Sequence, residues 1–145
     1  MLEREGHGKI RLLFDVASAS DIEHRVNNST PRLLTTSRSF CDKHPDAVVK
    51  YVQCVVRTAC WTKSHPHHAQ SLVAAECGTE QKDLARVFKP GYTNHFMPAL
   101  SPALIATTHL MKEFLLSHGY LESDYSIEDW IEAEPLKKAL RLESY

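Results

Sequence analysis

Five side chains of this sequence, in two short clusters, combine the chemistry of metal ligands with close spacing. His65, His67 and His68 lie close together, and Cys41 precedes His44 by three positions. Imidazole and thiolate groups are the ligands that zinc takes in proteins, but a structural zinc site needs four of them in paired spacings. Neither group has such a second pair, and the HPHH stretch falls where a helix begins, which favours a solvated turn. We therefore expect no metal and no cofactor.

The four cysteines show no CxxC pair and no regular spacing. A disulfide framework is typical of a small secreted domain with little apolar core, which this composition does not indicate. Cys54 and Cys60 fall in an apolar helical run, where a free cysteine behaves as a small hydrophobe. The pattern predicts buried, reduced thiols.

Composition excludes two classes of partner. The 17 basic and 18 acidic side chains are spread along the 145 residues and give a net charge of −1. Proteins that bind nucleic acid cluster their basic residues on one face, so we expect no nucleic-acid partner. No segment approaches the roughly 20 apolar residues that span a bilayer, so we expect no membrane insertion. The N-terminus lacks the apolar stretch of a signal peptide, which predicts a cytoplasmic chain as written, or a periplasmic one if it derives from a secreted bacterial precursor.

The predicted secondary structure that would position these side chains changes along the chain, from strands to helices. KIRLLF at 9–14 and RLLTTS at 32–37 are short apolar runs that predict two strands. Apolar residues then recur at helical spacing. Prolines at helix starts, capping residues and glycines at helix stops set the predicted bounds of six helices. These are Pro45–Ser64, Pro66 to a stop at Gly78, a helix that begins with Thr79 as its cap, Ser101–His118 before Gly119, a short turn capped by Ser126, and Pro135 to about Leu142. Ser39 is predicted to cap a short turn before them.

Short motifs follow one another in order between Ser29 and Leu140. They are TSRSF (Thr36–Phe40), HPDAV (His44–Val48), Trp61 near the end of a long helix, HPHHAQSLVA (His65–Ala74), a Gly78 break, LSPALI (Leu100–Ile105), FLLSHGYL (Phe114–Leu121), DW (Asp129–Trp130) and EPLKKAL (Glu134–Leu140). In these features the sequence resembles the C-terminal part of the substrate-binding proteins of sulfonate, taurine and nitrate ABC importers, with their thiamine-precursor-binding relatives. These belong to the type II periplasmic-binding-protein-like family.

The resemblance implies an α/β fold of two lobes joined by crossover strands, with the ligand in the cleft between them. Family members are roughly twice this length, so we predict a partial fold of two short strands followed by five or six helices. Residues 1–26 would be the tail of the second lobe, 27–37 a crossover strand, and 38–145 the C-terminal helical part of the first lobe.

The implied function is the binding of a small organic anion or heterocycle, with no complete site in this chain. Because the crossover strands form the floor of the cleft, the resemblance makes Asn28, Ser29 and Thr30 the candidate ligand-binding residues. Turn chemistry is the alternative for the same polar run, since Asn, Ser and Thr favour turns.

Two other functions stay open. Some relatives of the family are desulfinases, and their nucleophilic cysteine lies in an N-terminal half that has no counterpart here, so we name no catalytic residue. The chain could be the C-terminal piece of a desulfinase-like or pyrimidine-precursor-synthase-like enzyme, or a stand-alone helical interaction domain. Apolar stripes on the Ser101–His118 helix would lose their covering strands in a partial fold, so we also expect self-association through an exposed apolar face.

Overall fold

The computed structural model describes Leu13 and residues 19–26, 31–87 and 96–143, and every regular element within them is helical. After a 3₁₀ turn (Glu23–Arg25) come α1 (Arg38–Lys43), α2 (Pro45–Ser64), α3 (Pro66–Glu76), α4 (Gln81–Val87), α5 (Pro102–Ser117), α6 (Ile127–Trp130) and α7 (Glu134–Leu142). They belong to two compact units. Unit 1 comprises Met1–Leu34 and Ser101–Trp130, and unit 2 comprises Thr35–Leu100 and Ile131–Tyr145. None of the helices in the described ranges is long and apolar enough to cross a membrane.

The predicted α/β fold with two short strands is wrong. Residues 32–37 form no strand, and Leu33 and Leu34 in that segment are 48% and 58% exposed. A strand requires a neighbour that satisfies its backbone, and the described residues provide none beside this segment. The other predicted strand, 9–14, lies outside the described residues apart from Leu13, which has no regular secondary structure.

The predicted starts of α2, α3 and α5 and the predicted stops at Gly78 and Gly119 are confirmed, whereas the helix predicted from Thr79 begins at Gln81. Pro45, Pro66 and Pro102 stand at the first positions of α2, α3 and α5, where a missing N–H costs no intrahelical bond. Gly78 and Gly119 come after the ends of α3 and α5 with φ of 61° and 71°, a left-handed conformation that glycine adopts without strain.

Serine side chains cap three helices. The Ser101 and Ser126 hydroxyls accept hydrogen bonds from the backbone N–H three residues on, at 3.3 and 3.1 Å, as the sequence predicted. The prediction for Ser39 is wrong. The hydroxyl of Ser37 caps α1 instead, and Ser39 lies inside that helix, because the backbone is still extended at Ser37.

Unit 2 is built around α2, which packs against α1, α3 and α7. Its buried residues are mostly small. They are Val56, Ala59 and Thr62 of α2, Ala69 and Ala74 of α3, Leu84 of α4 and Ala139 of α7.

Unit 1 is built around α5, which packs against the 3₁₀ turn and α6. Ile127 and Thr107 are fully enclosed, both with 0% exposure. The Thr107 hydroxyl donates to the Leu104 carbonyl at 2.7 Å, which satisfies it inside the helix. The outer face of α5 carries Leu110 and Phe114, which are 39% and 50% exposed.

Candidate functional site

The predicted ligand-binding residues Asn28, Ser29 and Thr30 lie outside the described residues. The segment that precedes them is held in place. Arg25 Nε donates to the Ala19 carbonyl at 2.7 Å, and the 3₁₀ turn that contains Arg25 packs against α5. The chain leaves this turn at Val26 in an extended conformation. The polar run therefore begins from a turn that is anchored on α5.

A polar cluster joins α5 to the segment after it, and its members are His109, Lys112, Asp124 and Glu128. His109 Nε2 lies 2.9 Å from Glu128 Oε1, and Lys112 Nζ donates to Asp124 Oδ1 at 2.7 Å. Lys112 Nζ also donates to the Tyr125 carbonyl at 2.9 Å, and its side chain is only 12% exposed. This α5 polar cluster holds residues 124–128 against the helix.

Hydrogen bonds lower the pKa of both carboxyls in the α5 polar cluster. The Lys112 ammonium is the largest cause for Asp124, followed by the Tyr125 backbone N–H. For Glu128 the largest cause is its own backbone N–H, followed by the bond to His109. Both carboxylates are therefore ionised at neutral pH, and each faces a basic side chain.

The α5 polar cluster contains no activated nucleophile. Ser126 donates to Glu128 Oε2 at 3.4 Å and accepts from the Asp129 N–H at 3.1 Å, so its hydroxyl contacts the acid and not His109. General-base activation requires the nucleophile to reach the base directly. This arrangement stabilises the turn into α6 and enclosed Ile127.

The contact between Ser117 and His118 is also structural. Ser117 Oγ lies 3.0 Å from His118 Nδ1, and that nitrogen lies 2.9 Å from the Phe114 carbonyl. Nδ1 must carry a proton to donate to this carbonyl, and a protonated nitrogen cannot accept one from Ser117. The Ser117 hydroxyl itself donates to the Phe114 carbonyl at 3.0 Å.

The prediction of buried thiols is wrong. All four cysteines are free; Cys41 is half-buried, and Cys54, Cys60 and Cys77 are exposed. Cys54 and Cys60 turn away from the buried stripe of α2, because that stripe is narrower than the run of apolar residues in the sequence suggests.

The histidine-rich turn packs on an aromatic ring. The His65 ring stacks on Trp61 with 5.0 Å between centroids, and the His68 ring meets the same indole edge-on at 5.3 Å. His67 contributes its carbonyl, which accepts a bond from Gln81 at 3.3 Å. Across the described ranges, no three His, Cys, Asp or Glu side chains are grouped so as to hold a metal ion.

A shallow groove of about 350 Å³ lies between the start of α2 and the end of α7. Asp46, Val49, Lys138, Arg141 and Leu142 line it. Its lining combines the side chains of Val49 and Leu142 with charged groups of both signs, and the groove is open to solvent.

Sequence reasoning missed both the α5 polar cluster and this groove. Lys112 and Asp124 are 12 residues apart, and His109 and Glu128 are 19 apart, so no local pattern links them. The one signal in the sequence is the HxxK spacing on α5, which places two basic groups on neighbouring positions of a single helix face.

Comparison with known proteins gives a distant similarity to an enzyme. Over 113 residues, 78% of this chain, the sequence is 23% identical to a 2'-hydroxybiphenyl-2-sulfinate desulfinase of Rhodococcus erythropolis. A protein of the same name from Rhodococcus qingshengii gives the same values. The chain spans 31% of the length of these curated relatives. No family model matches the chain. No solved structure matches it either.

Proposed function

We propose that this chain is the helical portion of a protein that binds a small organic sulfur oxyanion, of the sulfonate- and sulfinate-binding kind, and that it supplies part of the binding site. The observation that carries this proposal is the similarity to the Rhodococcus desulfinases across 78% of the chain. Desulfinases are among the relatives that the sequence resemblance implies, so the two observations agree on this point. The importer-type binding proteins remain the main candidates for the intact protein.

Asn28, Ser29 and Thr30 are the residues that we propose contact the anion. Their amide and hydroxyl groups donate hydrogen bonds, and sulfonate or sulfinate oxygens accept them. The run follows the 3₁₀ turn Glu23–Arg25, which packs against α5.

The described residues agree with the proposal that this chain holds only part of a binding site. Binding of a small anion requires several polar groups that converge on one point. In the α5 polar cluster the Lys112 ammonium is already neutralised by Asp124 at 2.7 Å. In the groove Lys138 and Arg141 are accompanied by Asp46. We therefore propose that the remaining hydrogen-bond donors come from residues outside the ranges that the structure describes.

An enzyme of the desulfinase type is the second candidate, because the relatives carry that name. The contact between Ser117 and His118 is structural, because His118 Nδ1 and the Ser117 hydroxyl both donate to the Phe114 carbonyl. The nucleophile and base would thus have to lie elsewhere in the intact protein.

We also propose that the isolated chain self-associates through the outer face of α5. Leu110, Phe114 and the nearby Tyr120 are 39%, 50% and 72% exposed and lie along one side of unit 1. Contiguous apolar surface of this kind is uncommon on soluble monomers. A second copy offers the same surface, which suits a two-fold contact.

Titration of the ¹⁵N-labelled chain with taurine, an alkanesulfonate and an aryl sulfinate tests the binding proposal. We expect weak binding, with shift changes centred on 28–30 and a loss of these changes in an Asn28→Ala, Ser29→Ala, Thr30→Ala variant. Thr58→Ala is the control, since the exposed Thr58 hydroxyl only donates to the Cys54 carbonyl of its own helix. Binding that the triple variant leaves unchanged would show that Asn28, Ser29 and Thr30 do not form the site. Binding with micromolar affinity would show that the site in this chain is complete.

A further inference from the structure

The groove between α2 and α7 contains charges of both signs that do not pair with each other. Asp46 of α2 lines it together with Lys138 and Arg141 of α7. None of these three side chains makes a hydrogen bond or an ion pair with a described residue. Lys138 and Arg141 act only through space on Glu134, whose carboxylate is bonded to Lys137 at 2.8 Å. Two cations and one carboxylate are therefore available to a ligand in the groove.

Helical spacing places the lining residues together. Asp46 and Val49 are three positions apart at the start of α2. Near the end of α7, Arg141 and Leu142 follow Lys138 by three and four positions. Residues at these spacings lie on one face of a helix. Each helix therefore contributes both charge and an apolar side chain to the groove.

Ion pairs hold α7 in place at both of its ends. Before the helix, Arg38 Nη1 donates to Glu132 Oε2 at 2.9 Å, which joins the entry to α7 to α1. After it, Gln53 and Arg57 both donate to Glu143 Oε1, at 2.6 and 2.7 Å, which joins the end of α7 to α2. The two walls of the groove are therefore already in position, as is usual for sites that bind small molecules.

The size and the charges of the groove restrict its ligand. Its volume of about 350 Å³ is near the lower end of the range of ligand pockets, roughly 300–1,000 Å³. A plain anion would be attracted by Lys138 and Arg141 but repelled by Asp46, and a plain cation would meet the opposite combination. A molecule that carries one charge of each sign avoids both repulsions. The side chains of Val49 and Leu142 favour a ligand that also has an apolar part.

We propose that the groove between α2 and α7 binds a small zwitterion with an apolar side chain, of the amino-acid kind. The ligand carboxylate accepts hydrogen bonds from Lys138 and Arg141, and the guanidinium offers it two parallel donors. The ligand ammonium donates to the Asp46 carboxylate. The apolar side chain of the ligand contacts Val49 and Leu142. This site lies in unit 2 and does not rest on the sulfur-oxyanion proposal for residues 28–30.

Ligands that share one apolar skeleton test the two charge contacts. Free leucine carries both charges, 4-methylpentanoate lacks the ammonium, and 3-methylbutylamine lacks the carboxylate. Each is titrated at neutral pH into the ¹⁵N-labelled full chain, and Kd is obtained from the amide shifts of residues 46–49 and 138–142. We expect leucine to bind with about millimolar affinity, since it has few atoms. Each analogue should bind at least ~3-fold more weakly, which is the size of an exposed ion pair.

Substitutions on the two helices separate the contacts. Asp46→Asn should weaken leucine binding ~3-fold and leave the binding of 4-methylpentanoate undiminished, because only leucine has an ammonium for Asp46. Lys138→Gln combined with Arg141→Gln should weaken both ligands roughly 10-fold, since two ion pairs are lost. Lys137→Gln is the matched control, because Lys137 lies on the same helix, donates to Glu134 at 2.8 Å and does not line the groove.

Leucine that causes no shift changes at 46–49 and 138–142, or binding that survives the Lys138→Gln, Arg141→Gln double substitution, would overturn the proposal. An equal loss of leucine and 4-methylpentanoate binding in Asp46→Asn would do the same, because Asp46 would then not recognise the ammonium. The three charged side chains are exposed, so we expect these variants to fold. The comparison of ligands in the unmodified chain needs no variant, and equal affinity for all of them would mean that the groove recognises only the apolar skeleton, contrary to the proposal.

Discussion

Arg57 and Glu143 form an ion pair that joins α2 to the end of α7, with 2.7 Å between Arg57 Nε and Glu143 Oε1. Gln53 donates to the same oxygen at 2.6 Å. Gln53 first, and then Arg57, holds the pKa of the Glu143 carboxyl below its usual value of 4.5. The folded unit therefore binds a proton at Glu143 less readily than the unfolded chain does, and this difference makes its stability depend on pH.

Glu143→Gln should lower the stability of unit 2 at neutral pH and leave it unchanged in acid. A depressed folded-state pKa contributes stability that is present above the unfolded value of 4.5 and is lost as the pH falls through the folded one. Urea midpoints followed by Trp61 fluorescence, in a Trp130→Phe background, at about pH 7 and about pH 3 measure this. Glu76→Gln is the control, because Glu76 makes no ion pair with a described residue. An equal loss at both pH values would show that charge is not the cause.

Ile127→Ala should destabilise unit 1 more than any substitution on its surface. The Ile127 side chain is fully enclosed, and truncation of such a residue costs about 2–5 kcal/mol because a cavity remains. Ile127→Val should cost about 0.5–1.5 kcal/mol. Urea unfolding followed by Trp130 fluorescence in a Trp61→Phe background gives both values. Equal losses for the two variants would mean that the residues around position 127 close on alanine and leave no cavity.

Ser101→Ala should weaken the start of α5. The Ser101 hydroxyl satisfies the Leu104 N–H at 3.3 Å, and the loss of such a cap costs about 0.5–2 kcal/mol. Ser101→Asp keeps an acceptor at the same position and should retain most of the stability. The same Trp130 assay compares the three chains. If aspartate fails to rescue the loss, the hydroxyl has a role other than capping.

Leu110→Glu should reduce self-association of the isolated chain. Leu110 is 39% exposed on the outer face of α5, and loss of a buried leucine contact corresponds to about ten-fold or more in an association constant. Sedimentation velocity over a concentration series measures it. Thr58→Glu is the control, because Thr58 is an exposed polar residue of α2 in unit 2. A chain that is monomeric throughout the series would refute self-association.

Local signals account for the part of the fold that the sequence predicted. The bounds Pro45–Ser64 follow from a proline that suits a first turn and from apolar spacing within one helix. The strand predicted at 32–37 failed because a strand depends on a partner that is distant in the sequence. The Arg57–Glu143 pair, 86 residues apart, was invisible for the same reason. The polar run Asn28–Thr30 remains a prediction.

The helices α1, α2 and α3 are joined by single residues, His44 and His65. At each joint one residue ends a helix and precedes the next, so neither joint contains a loop that could absorb an insertion. One residue inserted within a helix would rotate the rest of that helix by about 100°, since a helix has 3.6 residues per turn, and one inserted at a joint would shift the next helix against its contacts. Insertions and deletions between related chains should therefore be absent from both joints, and the spacing from Phe40 to Ala74 should be kept even where the side chains between them change.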